Sequence, residues 1–287
     1  MNFRNNVFFI VLILSLQMFA EEQSIATLKA EYKVIGHSVN KSTGDTIQNI
    51  QKFILQMAPN MSYYYNPQTY YVDSLENDPQ GKLILEQAWA TSLETFSNDN
   101  SKNAFDILEK QGFLRETRYR NLKDFNKGNM RVWDSNMGSK YRYDIEMNDL
   151  TWELGDSIKT ILDFECQNAI ADYHGRKWEA WFTIELPIQD GPWQLYGLPG
   201  LIIEAATDDG IYAFKLTGIQ ECNEPFKPTF EDKSYFITKR KSFLKMKDSS
   251  TKNRSALVNA MTNGNINLSN SINASEKDID LIETDYH

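Results

Sequence analysis

The sequence predicts a mainly β fold of the α+β kind: a strongly curved antiparallel sheet, an open half-barrel, with one or two helices covering its concave side. Three observations carry this. Apolar residues alternate with polar ones in stretch after stretch, Gly-, Asn- and Asp-rich turn signals separate those stretches, and helical patterning is confined to a few segments. Successive hairpins favour antiparallel pairing, because parallel neighbours need a crossover of a dozen or more residues between them. A β-sandwich is the alternative arrangement.

In chain order, the first strand reads from Ala26, Leu28, Ala30, Tyr32 and Val34, with Thr27, Lys29, Glu31 and Lys33 on the opposite face. A second runs through residues 51–57. Residues 81–97 (GKLILEQAWATSLETFS) are rich in helix formers, and residues 101–111 read as a short helix with Ser101 as N-cap and Gly112 as its stop. Two strands then flank Asn136–Met137–Gly138, as MRVWD and SKYRYDIEM. Residues 164–172 and 177–186 flank His174–Gly175–Arg176, and residues 201–206 and 211–219 flank Asp208–Asp209–Gly210; both read as hairpins. On the strand over 177–186, Trp178, Ala180, Phe182, Ile184 and Leu186 share one face. Residues 242–247 read as a helical turn or two, and the Asn/Ser/Thr-rich stretch 249–287 as a loosely ordered tail.

Residues 191–205, GPWQLYGLPGLIIEA, crowd three glycines and two prolines against strand formers. Pro199–Gly200 suits the centre of a type II turn from Leu198 to Leu201, with Gly200 taking positive φ. Trp193, Tyr196 and Leu198 then lie on a loop that plugs the end of the sheet. An anion-binding backbone nest lacks the strand–loop–helix context and a nearby lysine in sequence.

Residues 1–20 read as a secretory signal peptide: Arg4 is the basic n-region, residues 7–16 the apolar core, and Ala20 the small residue for cleavage. The apolar run is shorter than the ~20 residues that span a bilayer. The chain is therefore expected to be exported, to the periplasm, the outer-membrane periphery or the extracellular space, with a β-rich domain over 21–248. Arg4 leaves with the leader, so 29 Lys and Arg face 39 Asp and Glu, a net charge of −10. Such a surface repels nucleic acid and gives no reason to expect adhesion to anionic lipid. Residues 226–254 reverse this locally, with nine Lys and Arg against three acids, as a solvated face or an anion-binding patch. Cys166 and Cys222 can pair in an oxidising compartment, a bridge that would contribute about 4 kcal/mol, or stay as separate thiols.

Catalytic patterns are scarce. His174 lies in a hairpin turn, where an exposed turn residue is the plainer reading, and no HExxH, GxSxG or Walker-type motif occurs. Asp278, Asp280, Glu283 and Asp285 lack the spacing of a calcium loop. Tyr63, Tyr64 and Tyr65, followed by Tyr70 and Tyr71, place rings on both faces of an extended segment. They read as a ligand or partner surface or as packing against a helix.

The string GLPGLI, preceded by GPW and by GRKWEAWFTIELPI, closely resembles the GLPGLI family, exported proteins of Bacteroidetes. The matching residues are Cys166, Gly175, Arg176, Trp178, Ala180, Trp181, Phe182, Thr183, Pro187, Gly191, Pro192 and Gly197, Leu198, Pro199, Gly200, Leu201 and Ile202. The resemblance covers residues 152–219, more loosely 24–65, and not the tail. It implies no established activity, and a genetic association with TonB-dependent outer-membrane transport. The expected function is a non-enzymatic envelope accessory, binding an apolar ligand or a transport partner, with no cofactor. Tyr63, Tyr64, Tyr65, Arg176, Trp181, Trp193 and Tyr196 are its candidate binding residues. Two alternatives stand beside it: an enzyme or metal-handling protein using a Cys166, His174 and Arg176 cluster, and a structural envelope component.

Overall fold

A computed structural model describes residues 24–40, 44–99, 104–226, 234–253, 277–278 and 281–287. The expected signal peptide over residues 1–20, the expected N-cap Ser101 and most of the polar stretch after residue 253 lie outside the described residues. Strands take 48% of the chain and form one large sheet that does not close into a barrel. The mainly β class holds, and the two-sheet sandwich is not formed.

Two meanders make the sheet. The first runs β1 (Ile25–Asn40), β2 (Thr46–Ala58), β3 (Met61–Tyr65), β4 (Arg120–Asp124), β5 (Asn129–Asn136) and β6 (Ser139–Glu146). The second runs β7 (Glu153–Ile161), β8 (Phe164–Tyr173), β9 (Arg176–Thr183), β10 (Leu201–Thr207) and β11 (Tyr212–Pro225). They join where β11 lies antiparallel to β1, from Ile25 opposite Pro225 to Gly36 opposite Tyr212. The short β12 (Phe236–Ile237) adds in parallel to β6, and β13 (Lys277–Asp278) pairs with the end of β1. Register shifts in the β1–β11 ladder are bulges, which raise local twist and bend the sheet.

Three two-residue hairpins have both central residues at positive φ: Met137–Gly138 (48° and 82°), Leu162–Asp163 (50° and 67°) and His174–Gly175 (53° and 81°). These are type I′ turns, whose twist matches that of the flanking strands. The strand after His174–Gly175 stops at Thr183, earlier than the alternation implies, and Ile184 is exposed.

Among the described residues there are four helices, where one or two were expected to cover the sheet. α1 (Pro67–Asn77) is capped by Asn66, whose side chain accepts from the Thr69 N–H at 2.8 Å, and α2 (Pro79–Asn98) by Asp78, which accepts from the Gly81 N–H at 2.7 Å. With α3 (Ala104–Lys110) they pack on one another, and Tyr70 of α1 lies against Tyr63 and Tyr65. α4 (Arg240–Lys252) packs on β5 and β6, where Phe243 and Leu244 meet Met130, Val132 and Tyr143. The main core lies between the strands and the 184–200 loop and includes Tyr32, Leu55, Trp178, Phe182 and Phe214.

The corner after β9 differs from the expected type II turn. Gly200 is not at positive φ; Gly197 is, at 90°. Gly200 is glycine because a Cβ there would overlap the Thr183 carbonyl. Gly191 answers a similar constraint, since its Cβ would sit 2.7 Å from Ile202 Cδ1. Trp193, Leu195 and Leu198 are buried in the main core, so the loop does fill the interior.

Candidate functional site

The site starts from two inward side chains of β4. Lys123 is fully buried, and its ammonium donates to Asp190 Oδ1 at 2.5 Å, the Gly191 carbonyl at 2.7 Å and the Leu195 carbonyl at 2.8 Å. All three of its donors are used. Burial pushes the Lys123 pKa down, with Asp190 opposing the shift. Asn121 donates to the Trp193 carbonyl at 2.7 Å. β4 is five places from β10 along the sheet, yet it holds the loop that enters β10, so the sheet curls around that loop.

The loop sets Trp193 at φ 54°, with its ring near those of Trp178, Phe214, Tyr173 and His174. Beside it lies a cavity of about 210 Å³, walled by Phe53, Tyr64, Tyr119, Tyr143, Tyr212 and Phe214. Lys247, paired with Asp134, and Glu283 supply its charged lining.

Residues 281–287 clasp this region, although composition places them in a loosely ordered tail. Arg176 donates to the Ile282 carbonyl at 2.9 Å and the Leu281 carbonyl at 2.7 Å. The Thr284 N–H donates to the His174 carbonyl at 2.9 Å, and its hydroxyl to the Gly175 carbonyl at 2.9 Å. Arg240 of α4 pairs with both Glu283 and Asp285. Burial favours a raised Asp285 pKa, but hydrogen bonds from His174 and Arg240 and their charges outweigh it and hold the carboxyl well below the usual range. Leu281 and Tyr286 are buried beside Phe243. Apolar and charged anchors in seven residues override the polar composition around them.

His174 is buried, not an exposed turn residue. Glu283 can only accept, so the Gln194 amide nitrogen must face it, at 2.9 Å; the Gln194 oxygen then faces His174 Nε2 at 2.9 Å, which must carry a proton. Nδ1 lies 3.6 Å from Asp285. His174, Glu283 and Asp285 place ligand atoms within 4.8 Å of one another, a set able to hold a divalent cation. Arg240 already engages both carboxylates, so the arrangement works as an ion-paired latch.

The predicted residues divide. Tyr64 and Trp193 line the cavity, and Arg176 belongs to the clasp. Tyr63 and Tyr65 are buried away from it, against Trp133 and Tyr70. All three tyrosines are therefore buried, because both faces of β3 are covered. Trp181 is half-buried under the Lys159 ammonium, 4.1 Å from the ring centre. Tyr196 packs with the α4 cluster, and burial pushes its hydroxyl up to about 12. The Cys166, His174 and Arg176 cluster does not assemble: Cys166 is eight residues along β8 from His174, roughly 26 Å at ~3.3 Å per residue. Cys166 and Cys222 are separate free thiols. Lys123, Asn121, Gln194 and Arg240 were not singled out in sequence, because their partners are distant carbonyls and carboxylates.

Residues 174–204 match a family model described as "Protein of unknown function (Porph_ging)". This is the GLPGLI-type family. The matched span holds His174 and Gly175, Arg176, the core strand β9 and the whole of the Lys123-anchored loop. No curated protein matches the chain. Solved structures that resemble it include PNGF-II in space group P21 (TM-score 0.49, 11% identity) and in C2 (TM-score 0.43, 13% identity). Each alignment covers 77% of this chain and 33% or 32% of the other, so the chain spans about a third of those proteins' length. Among the described residues, no helix is long and apolar enough to cross a membrane.

Proposed function

We propose that this protein is an exported, non-enzymatic envelope accessory that binds a small apolar ligand in the cavity beside Trp193. The observation that carries this reading is the aromatic wall itself, built on the curled sheet and bounded by the 281–287 clasp. Concave, mostly apolar sites with a few convergent polar groups are where small molecules bind. Export rests on the leader-like residues 1–20. A role beside TonB-dependent outer-membrane transport rests on the family resemblance, and a transport component is the partner it suggests. Metal handling at His174, Glu283 and Asp285 is a second reading, and the weaker one, because the Arg240 guanidinium already engages an oxygen of each carboxylate.

The test is displacement of an apolar fluorescent probe, alongside native mass spectrometry of protein taken from an envelope fraction. Val34→Trp fills the cavity from β1 and should weaken the probe at least tenfold with an unchanged far-ultraviolet spectrum. A ligand-free native mass, together with probe affinity indifferent to Val34→Trp, would sink the reading.

A further inference from the structure

We propose that the outer edge of the first meander docks on an anionic lipid surface, with Phe236 and Ile237 entering the headgroup layer and Lys239, Lys241 and Lys245 pairing with lipid phosphates. This goes beyond the cavity reading and does not depend on it.

β12 is the last strand on its side of the sheet, held in parallel against Tyr141 and Arg142 of β6. Phe236 is 62% exposed and Ile237 76% exposed, so two large apolar side chains stand in water. Successive strand residues point to opposite faces, so the pair projects from both sides of one edge. A rigid protein surface covers one face of such an edge; a fluid layer of lipid closes around both. The Tyr141 ring lies 5.7 Å from that of Phe236 and 5.3 Å from that of Phe243, which sets the edge and α4 side by side. Lys239 is the N-cap of α4, and Lys241 and Lys245, at i and i+4, share a solvent-facing side of the helix.

Charge identifies the kind of surface. Of the basic residues in 226–254, Arg240 engages Glu283 and Asp285, Lys247 engages Asp134, and Lys252 engages Asp248. Lys227, Lys233 and Arg254 lie outside the described residues, as do the acids Glu231 and Asp232. Lys239, Lys241 and Lys245 are exposed and have no carboxylate partner among the described residues. The net negative charge of the whole chain does not cancel this patch, because exposed charges farther off than a Debye length of ~8 Å are largely screened. Apolar insertion and attraction of lysines to anionic headgroups are separate contributions to binding at a lipid surface, and together they give reversible adhesion.

The test is co-sedimentation of the full chain with phosphatidylcholine vesicles, made with and without about a third phosphatidylglycerol. Any contribution from the apolar residues 7–16 is common to both vesicles and to every variant. Binding should be about tenfold stronger to the phosphatidylglycerol vesicles and should fall as salt rises. The combined variant Lys239→Gln, Lys241→Gln, Lys245→Gln should abolish that preference. Phe236→Ser with Ile237→Ser should weaken binding to the same vesicles about tenfold. Amide exchange across residues 236–241 should slow on phosphatidylglycerol vesicles, a readout that needs no variant. Equal binding to both vesicles, a preference that survives the lysine variant, or unchanged exchange at 236–241 overturns the proposal. So does tighter binding to soluble polyglutamate than to vesicles, with vesicle binding indifferent to Phe236→Ser and Ile237→Ser, a result that assigns the patch to an acidic protein. None of these outcomes bears on the cavity.

Discussion

At the scale of single residues, the Lys123–Asp190 pair decides most. Taking two charges out of water is expensive, and their attraction offsets that best when the remaining polar atoms are satisfied; here every Lys123 donor is used, while Asp190 Oδ2 has no partner. Lys123→Met should therefore cost ~3–5 kcal/mol in chemical denaturation, because Asp190 is left charged and buried. Adding Asp190→Leu should restore much of the loss. A single-variant cost below ~1 kcal/mol would show that the loop does not hang on β4. Glycines give a second comparison. Gly200→Ala drives a methyl into the Thr183 carbonyl and should cost more than Gly197→Ala, where nothing lies within 4 Å and only the left-handed backbone penalty of ~1–2 kcal/mol applies. The reverse order of thermal stabilities would contradict the packing at the corner.

At the scale of elements, the clasp and α4 act as one unit through Arg240. Removing that guanidinium leaves the buried Glu283 without its ion pair, so Arg240→Ala should lower stability by roughly 1–3 kcal/mol and speed hydrogen exchange across residues 281–287. Acid should do the same. The Asp285 pKa is depressed in the folded state, so its contribution is complete above its unfolded pKa, ~3.9, and fades as pH falls below that value toward the folded one. Protection of the 281–287 amides, taken relative to the intrinsic exchange rate at each pH, should be high at pH 6 and lower at pH 3, ahead of global unfolding. Equal protection at both would argue that the latch carries no weight.

Elements also show where sequence was readable. β1, β2, β5, β6, β8, β9 and β11 show alternation because one face packs inward, and β10 is legible as a continuous run of strand formers, Leu201, Ile202 and Ile203 all being buried. β4 does not, since its inward positions are Asn121 and Lys123, whose partners lie some seventy residues later. β3 is Met61, Ser62 and three consecutive tyrosines, buried on both faces, so alternation carries no signal there. β7 is largely exposed on both faces and is recognisable mainly through its pairing with β8.

At the scale of the molecule, the sheet, the loop and the terminal segment enclose the cavity from three sides. The half-barrel was legible because hairpins repeat; the closing of its mouth was not, because seven residues near the chain end act through Arg176, Gln194 and Arg240 rather than through any local pattern. The aromatic surplus was legible too, but not its division between an inner wall holding Tyr64 and Trp193 and an outer layer holding Tyr63, Tyr65 and Trp133.

The seam between β1 and β11 has a kinetic consequence. Ile25 finds its partner in Pro225, two hundred positions further on. Until that partner is synthesised, a sixteen-residue strand keeps one flank unpaired, an invitation to foreign strands. Contacts this distant in sequence slow folding, so assembly waits on the second meander and favours a holding chaperone in the meantime.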